Sequence, residues 1–163
     1  MLDNLFFSCY PIENGFQYHL ILMSTDLWLN QLHENGYRLT EARRAVVQIV
    51  AESTVAITPL EVYDSARKHY PALGLVSVYR TLEKLEELQL VQRVHQPQGC
   101  QAFIAASEGH QHLLLCQRCG RVTFFEGDDL EKLIGKISSK TGYQIREHWL
   151  QLFGLCEKCK SQA

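Results

Sequence analysis

The chain has 163 residues, room for one medium domain or two small ones. Hydrophobic residues make up 46% and charged residues 21%, which excludes a disordered chain and suits a globular one. The net charge of −2 excludes a global pull toward nucleic acid or acidic lipid, so any DNA contact must come from individually placed side chains.

Residues 1–22 mix short apolar patches with Asp3, Pro11, Glu13, Asn14 and Gly15 and show no clear period. They read as an irregular extension, through about residue 23, with Met23 as an alternative start and an arm packed on the body as the rival reading. No positive n-region precedes them, so a secretory signal is not expected. No apolar run reaches the length of a membrane span, and a cytoplasmic protein without membrane or small-molecule substrate is expected.

From Met23 the pattern becomes orderly. Residues 25–35 predict a short helix with Trp28, Leu29 and Leu32 on one side and Gly36 ending it. Thr40 is an N-cap for a helix through about Ala51, with Ala42, Val46, Ile49 and Val50 on one face. Thr58-Pro59 opens another, with Leu60, Tyr63, Ala66 and Tyr70 as its stripe. After the Pro71 and Gly74 turn, Ser77 is expected to cap a third helix with Val78, Leu82 and Leu85 inward. Leu90–His95 and Gln101–Ala105 read as strands around Pro97-Gln98-Gly99. Three helices followed by a β-hairpin is the order of a winged helix-turn-helix, expected over residues 24–106. Strands at His112–Cys116 and Arg121–Phe125, a helix near 128–141 and a strand near 143–153 then predict a small α/β unit over 107–163. The class is α+β.

Cys116-Gln117-Arg118-Cys119-Gly120 and Cys156-Glu157-Lys158-Cys159 are the strongest chemical signal. Two residues between thiols let both bind one ion from a tight turn, and four thiolates give a closed tetrahedral zinc shell with no open position. The metal would close a 36-residue loop and stabilise a unit too small to rely on its core. A structural role follows, and free thiolates suit a reducing compartment. A zinc deaminase is excluded because no His-x-Glu partner accompanies the pairs. Redox chemistry at unliganded thiols is the competing reading.

His110 and His112 are two apart, on one side of a strand if that strand extends to both. Glu131 falls on the last predicted helix and His148 on the last strand. Three imidazoles and a carboxylate suit zinc, ferrous iron, manganese or nickel without choosing among them. Such a site binds more reversibly than four thiolates and loses metal in acid. Surface histidines and a solvated helix face are the plainer alternative.

Tyr37-Arg38-Leu39-Thr40 with Arg43, Val76-Ser77-Val78-Tyr79-Arg80-Thr81-Leu82, His110-x-His112, Cys-x-x-Cys-Gly, Gly142-Tyr143, His148 and Phe153-Gly154-x-Cys156-x-x-Cys159 occur in that order. Over about residues 25–160 this resembles the ferric uptake regulator family of metal-dependent repressors, which includes zinc, peroxide, manganese and nickel sensors. A zinc-uptake-regulator-like member is one reading. The resemblance implies a homodimer that binds an AT-rich inverted repeat in double-stranded DNA once a regulatory metal is loaded. It implies Cys116, Cys119, Cys156 and Cys159 as ligands of structural zinc. It implies His110, His112, Glu131 and His148 as ligands of a second divalent metal (zinc, ferrous iron or manganese). One departure stands out. Positions matched to the family's additional hinge site are Gln92, Ile104 or Ala106, Gln111, Leu113 and Phe124, none a good ligand, which leaves that site absent or rebuilt around His95 and Cys100.

With Val78, Leu82 and Leu85 inward, Ser77, Arg80, Thr81 and Lys84 are expected to face outward toward DNA, and Tyr79 flanks them. Arg80 can read guanine bidentately or hold phosphate. The resemblance adds Tyr79 as a reader and Arg38 and Arg43 as phosphate or minor-groove contacts. The expected function is a metal-responsive repressor of metal-homeostasis genes. A peroxide-sensing relative, a constitutive DNA binder with purely structural zinc and a zinc hydrolase compete with it. No general base stands beside an open metal position, so an enzyme is not expected.

Overall fold

The computed structural model describes residues 15–96, 99, 101–107, 109, 111–127 and 129–161, with side chains from residue 25 onward. His110, Cys9, Cys100 and the Pro97-Gln98 part of the wing turn lie outside the described residues.

Helix α1 (Gly15–Glu34) begins well before Met23, so residues 15–23 are helical where an irregular extension was expected. Gly36, at φ +81°, turns the chain after it. Helix α2 (Glu41–Ala51) starts as expected, with the Thr40 hydroxyl accepting the Arg43 N–H at 3.2 Å. Helix α3 (Pro59–Ala66) has a full capping box, in which Thr58 Oγ1 accepts the Glu61 N–H and Glu61 accepts the Thr58 N–H at 2.7 Å. Its buried side chains are Pro59, Val62 and Ala66, and Leu60 is exposed. The expected stripe was rotated because Pro59 itself packs inward.

Helix α4 (Leu75–Glu87) corrects two expectations. Gly74, in an extended conformation, is the N-cap, so the helix begins before Ser77 and Ser77 does not cap it. Thr81 is only 2% exposed and lies inward with Val78, Leu82 and Leu85. Its hydroxyl donates to the Ser77 carbonyl at 2.7 Å, which satisfies a polar group on a buried face.

α1 to α4 enclose an apolar core of Trp28, Leu32, Val46, Val50, Val62 and Leu82, among others. Strands β1 (Val91–His95) and β2 (Gln101–Ala105) follow as an antiparallel pair with Val91 opposite Ala105. Arg93 fastens this wing to α4 through an ion pair with Glu86, and within the wing it donates to the Gln101 side chain at 2.7 Å.

The C-terminal half is a three-stranded sheet in the order β4-β3-β5. β3 (His112–Cys116) runs antiparallel to β4 (Val122–Phe125) and parallel to β5 (Gln151–Gly154). The parallel pairing needs a crossover, which α5 (Leu130–Thr141) supplies, ending at Gly142 with φ +74°. The last strand was expected from about 143. It begins at Gln151, opposite Leu113. A short α6 (Glu157–Lys160) closes the fold.

The two halves are packed together. Ala56, Val94, Ala102 and Ile104 share an apolar seam with Leu113 and Leu115, flanked by Val122 and Phe124. The Ala56 N–H donates to the Gly120 carbonyl at 3.0 Å, and Val55 bridges Arg121. No helix among the described residues is long and apolar enough to cross a membrane.

Leu82 is fully buried, so Leu82→Ala should cost about 2–5 kcal/mol in denaturant unfolding. Loss of the capping box by Thr58→Ala should cost about 1 kcal/mol.

Candidate metal centre and nucleic-acid face

Cys116 ends β3, and the turn after it returns through Gly120, at φ +71°, to β4. Cys156 is the N-cap of α6 and Cys159 lies within it. Parallel pairing sets Cys116 opposite Gly154, which brings the second cysteine pair alongside the first. The four sulfurs lie within 4.8 Å of one another, the spread expected of ligands around one tetrahedral ion. Cys119 and Cys156 sulfurs are 3.7 Å apart, and the Cys156 N–H donates to the Cys116 sulfur at 3.3 Å.

The electrostatics of the four thiols are uneven. Burial raises the Cys116 thiol, but the N–H groups of Cys156, Cys119 and Arg118 aimed at it outweigh burial and bring it down to about 6. Burial and the surrounding sulfurs push Cys159 up to about 12, and burial raises Cys119. One ligand is thus a thiolate at neutral pH, and a dication would draw protons from the others. The donor set is soft and complete, so the cysteines fit a structural zinc ion with no position open for catalysis.

Of the second cluster, the structure brings together His112 and His148, with ring centroids 5.3 Å apart. His112 is 4% exposed and lies against Phe125 as well. Gly127 packs on its ring so closely that a Cβ there would lie 2.5 Å from Cδ2 and 2.7 Å from Nε2. The sequence singled out neither this glycine nor its role, and its neighbours Glu126 and Asp129 carried no signal of the contact. Glu131 is exposed in the first turn of α5. Among the described residues it does not converge with the two imidazoles as the cysteines converge.

Three of the positions matched to a hinge site are apolar and packed, and Gln92 and Gln111 are half-buried amides. Ile104, Leu113 and Phe124 belong to the seam between wing and sheet. His95 carries no ligand set among the described residues; its ring lies 5.2 Å from that of Trp149.

On α4 the outward face carries Val76, Tyr79, Arg80 and Glu83, with Val76 64% and Tyr79 49% exposed. Val76 was not expected there. Ser77 is half-buried, and Lys84 is held by Glu87 at 2.7 Å. That hydrogen bond raises the Lys84 ammonium and lowers the Glu87 carboxyl. Lys84 and Arg43 both lie over the Tyr37 ring, at 5.5 and 5.8 Å, and Tyr37 donates to Glu87 at 3.2 Å. Arg43 also donates to the Arg38 carbonyl, while the Arg38 side chain is exposed.

A four-helix unit with an outward Tyr-Arg face on α4, a two-stranded wing and a four-thiol staple in one chain define a DNA-binding regulator with a metal-stapled second half. The ferric uptake regulator family model matches residues 34–153. The ferric uptake regulation protein of Bacillus subtilis (strain 168) is 33% identical over 136 residues, covering 81% of this chain and 91% of that protein. The Vibrio cholerae ferric uptake regulator is similar in structure, with TM-score 0.61 and 27% identity over 78% of this chain and 98% of that one. A zinc uptake regulator complexed with zinc and DNA matches with TM-score 0.67 over 92% of this chain and 98% of that one, at 21% identity, which speaks for the fold. The chain belongs to the ferric uptake regulator family: it is a metal-responsive transcriptional regulator of metal uptake, in a family that is not enzymatic.

Cys156→Ser should abolish stoichiometric zinc binding by elemental analysis and lower the thermal midpoint. Zinc retention should fall on acidification, because protons compete with the metal for all four sulfurs, and zinc content by elemental analysis across a descending pH series checks it.

Proposed function

We propose that this chain is a cytoplasmic repressor that acts as a homodimer on an AT-rich inverted repeat in double-stranded DNA. Residues 24–106 read the DNA, and residues 107–163 hold metal and dimerise. In this reading Cys116, Cys119, Cys156 and Cys159 hold a structural zinc ion, and His110, His112, Glu131 and His148 hold a regulatory divalent metal. The observation that carries the reading is the pairing of buried His112 with His148, two imidazoles from distant parts of the chain. Neutral imidazoles with a carboxylate suit zinc, ferrous iron or manganese.

Dimerisation is supported by what the single chain leaves uncovered. α5 buries no residue, and Leu133 and Ile137 are exposed on it. β5 is an edge strand with Leu152 and Phe153 exposed, a face and an edge that a second copy would cover. Two-fold symmetry would then present two α4 helices to the two halves of a palindrome. Tyr79 and Arg80 are the proposed base readers, with Val76 beside them for thymine methyls. Ser77 and Arg38 are proposed backbone contacts. Arg43 and Lys84 are proposed to act by holding Tyr37 against α4, and Thr81, being buried, by holding the helix in place.

The test is anisotropy of a labelled fragment of the gene's own upstream region, with protein already carrying its cysteine-bound zinc. Zinc, ferrous iron and manganese are titrated in parallel at fixed salt. One of them should tighten binding, and His148→Ala should not respond. Binding that ignores all three metals would sink the sensor reading. Arg80→Ala should weaken specific binding by about 1–3 kcal/mol while leaving non-specific binding nearly unchanged. Gly127→Ala, which must displace the His112 ring, should weaken regulatory-metal affinity roughly 10- to 100-fold with the four-thiol zinc retained.

A further inference from the structure

A cleft of about 610 Å³ lies between the two halves, lined by Glu86, Gln92 and Arg93 from one and by His112, His148 and Gln151 from the other. At one end it is crossed by an unusual contact. The Gln151 side-chain amide accepts the His95 N–H at 3.1 Å and donates to the His95 carbonyl at 2.6 Å. It pairs with both backbone groups of one wing residue, as a neighbouring strand would. Trp149, 79% exposed, lies beside it with its ring 5.2 Å from the His95 ring. The Gln151 backbone is meanwhile held to β3 opposite Leu113.

Residues 148–151 therefore touch His112 at one end and the wing at the other. Among the described residues, the apolar seam, the Ala56–Gly120 bond and the Val55–Arg121 bridge join the halves through other residues. They also differ in kind. An apolar seam is non-directional and tolerates small slides, whereas paired hydrogen bonds weaken steeply when distance or angle changes.

We propose that Gln151 is a positioning residue that ties the pose of the wing to the pose of His148, with Trp149 packed against His95 beside it. The proposal rests on the reading of His112 and His148 as ligands of the regulatory metal. Ordering of His148 beside His112 fixes the segment, the amide clasp fixes His95, and the wing and α4 follow through Arg93 and Glu86.

The experiment uses full-length Gln151→Leu, a side chain of similar size that can pair with neither backbone group. Three quantities are read on protein holding its cysteine-bound zinc: affinity for added zinc alone by chelator competition, oligomeric state, and DNA affinity with and without added zinc. In wild type the added metal should tighten DNA binding by the roughly 5- to 150-fold of coupled sites, and in Gln151→Leu by less than about twofold, with metal affinity within about threefold of wild type. Trp149 emission, followed in a Trp28→Phe background without DNA, should respond to added zinc and lose that response in Gln151→Leu. If the leucine variant does not fold, Gln151→Glu keeps the acceptor, loses the donor and should show a smaller loss of the same kind. Full metal enhancement in the variants overturns the proposal and leaves the metal-sensor reading standing. A parallel loss of metal affinity also overturns it, because Gln151 would then hold the metal segment rather than link it to the wing. A wild-type protein whose DNA affinity ignores metal removes the sensor reading itself, and does so before any substitution is made.

Discussion

Four sulfurs gathered within 4.8 Å of one another set the terms for the C-terminal half. That half is poor in core of its own. α5 buries nothing, β4 and β5 are at best half-buried, and among the described residues the covered side chains are those of β3 and Cys159 of α6. A small unit of this kind needs a staple. The staple is well placed for the purpose, since it fastens the end of β3 to the residues just after β5 and so secures the one parallel pairing in the sheet. Through Gly120 and Ala56 the same turn also reaches the loop before α3, so its influence extends beyond the sheet it closes.

The rest of the cover for that sheet comes from the wing. Val94, Ala102 and Ile104 lie against Leu113 and Leu115, and the wing in turn is fastened to α4 by Arg93 and Glu86. Where the family resemblance led one to look for ligands at the hinge, the chain has side chains suited to burial. Among the described residues the two halves are joined there by hydrophobic contact. Such contact fixes proximity better than it fixes angle, which leaves orientation to directional bonds at the margins.

Much of this was legible because it is local. The caps at Thr40 and Thr58 act within three residues, the strands from 91 to 116 alternate or run apolar between turn residues, and Cys-x-x-Cys spacing is itself the geometry of a metal turn. What was not legible depended on contacts the sequence does not order. Thr81 was placed outward on polarity, yet its hydroxyl finds the Ser77 carbonyl within its own helix and so can be buried. Ser77 looked like a cap, but Gly74 could take the extended conformation earlier. Gly127 and Gln151 gave no hint at all, since one matters only because His112 lies on it and the other because His95, 56 residues away, passes beside it. The candidate residues of the regulatory metal fall between these cases: their types were readable, but among the described residues only His112 and His148 are seen to meet.

The parallel pairing of β3 with β5 has a consequence for the order in which the protein takes shape. Contacts within α2, α3, α4 and the hairpin that follows join segments close in sequence, whereas β3 must wait for residues nearly forty positions downstream. Structures built on near neighbours form quickly, and those that close long loops form late. During synthesis the DNA-reading helices can therefore assemble on the ribosome while the thiol staple is still unmade. Nascent chains would pass through a stage with a finished reading head and no means of responding to metal, and any interruption of translation in the last forty residues would leave them there.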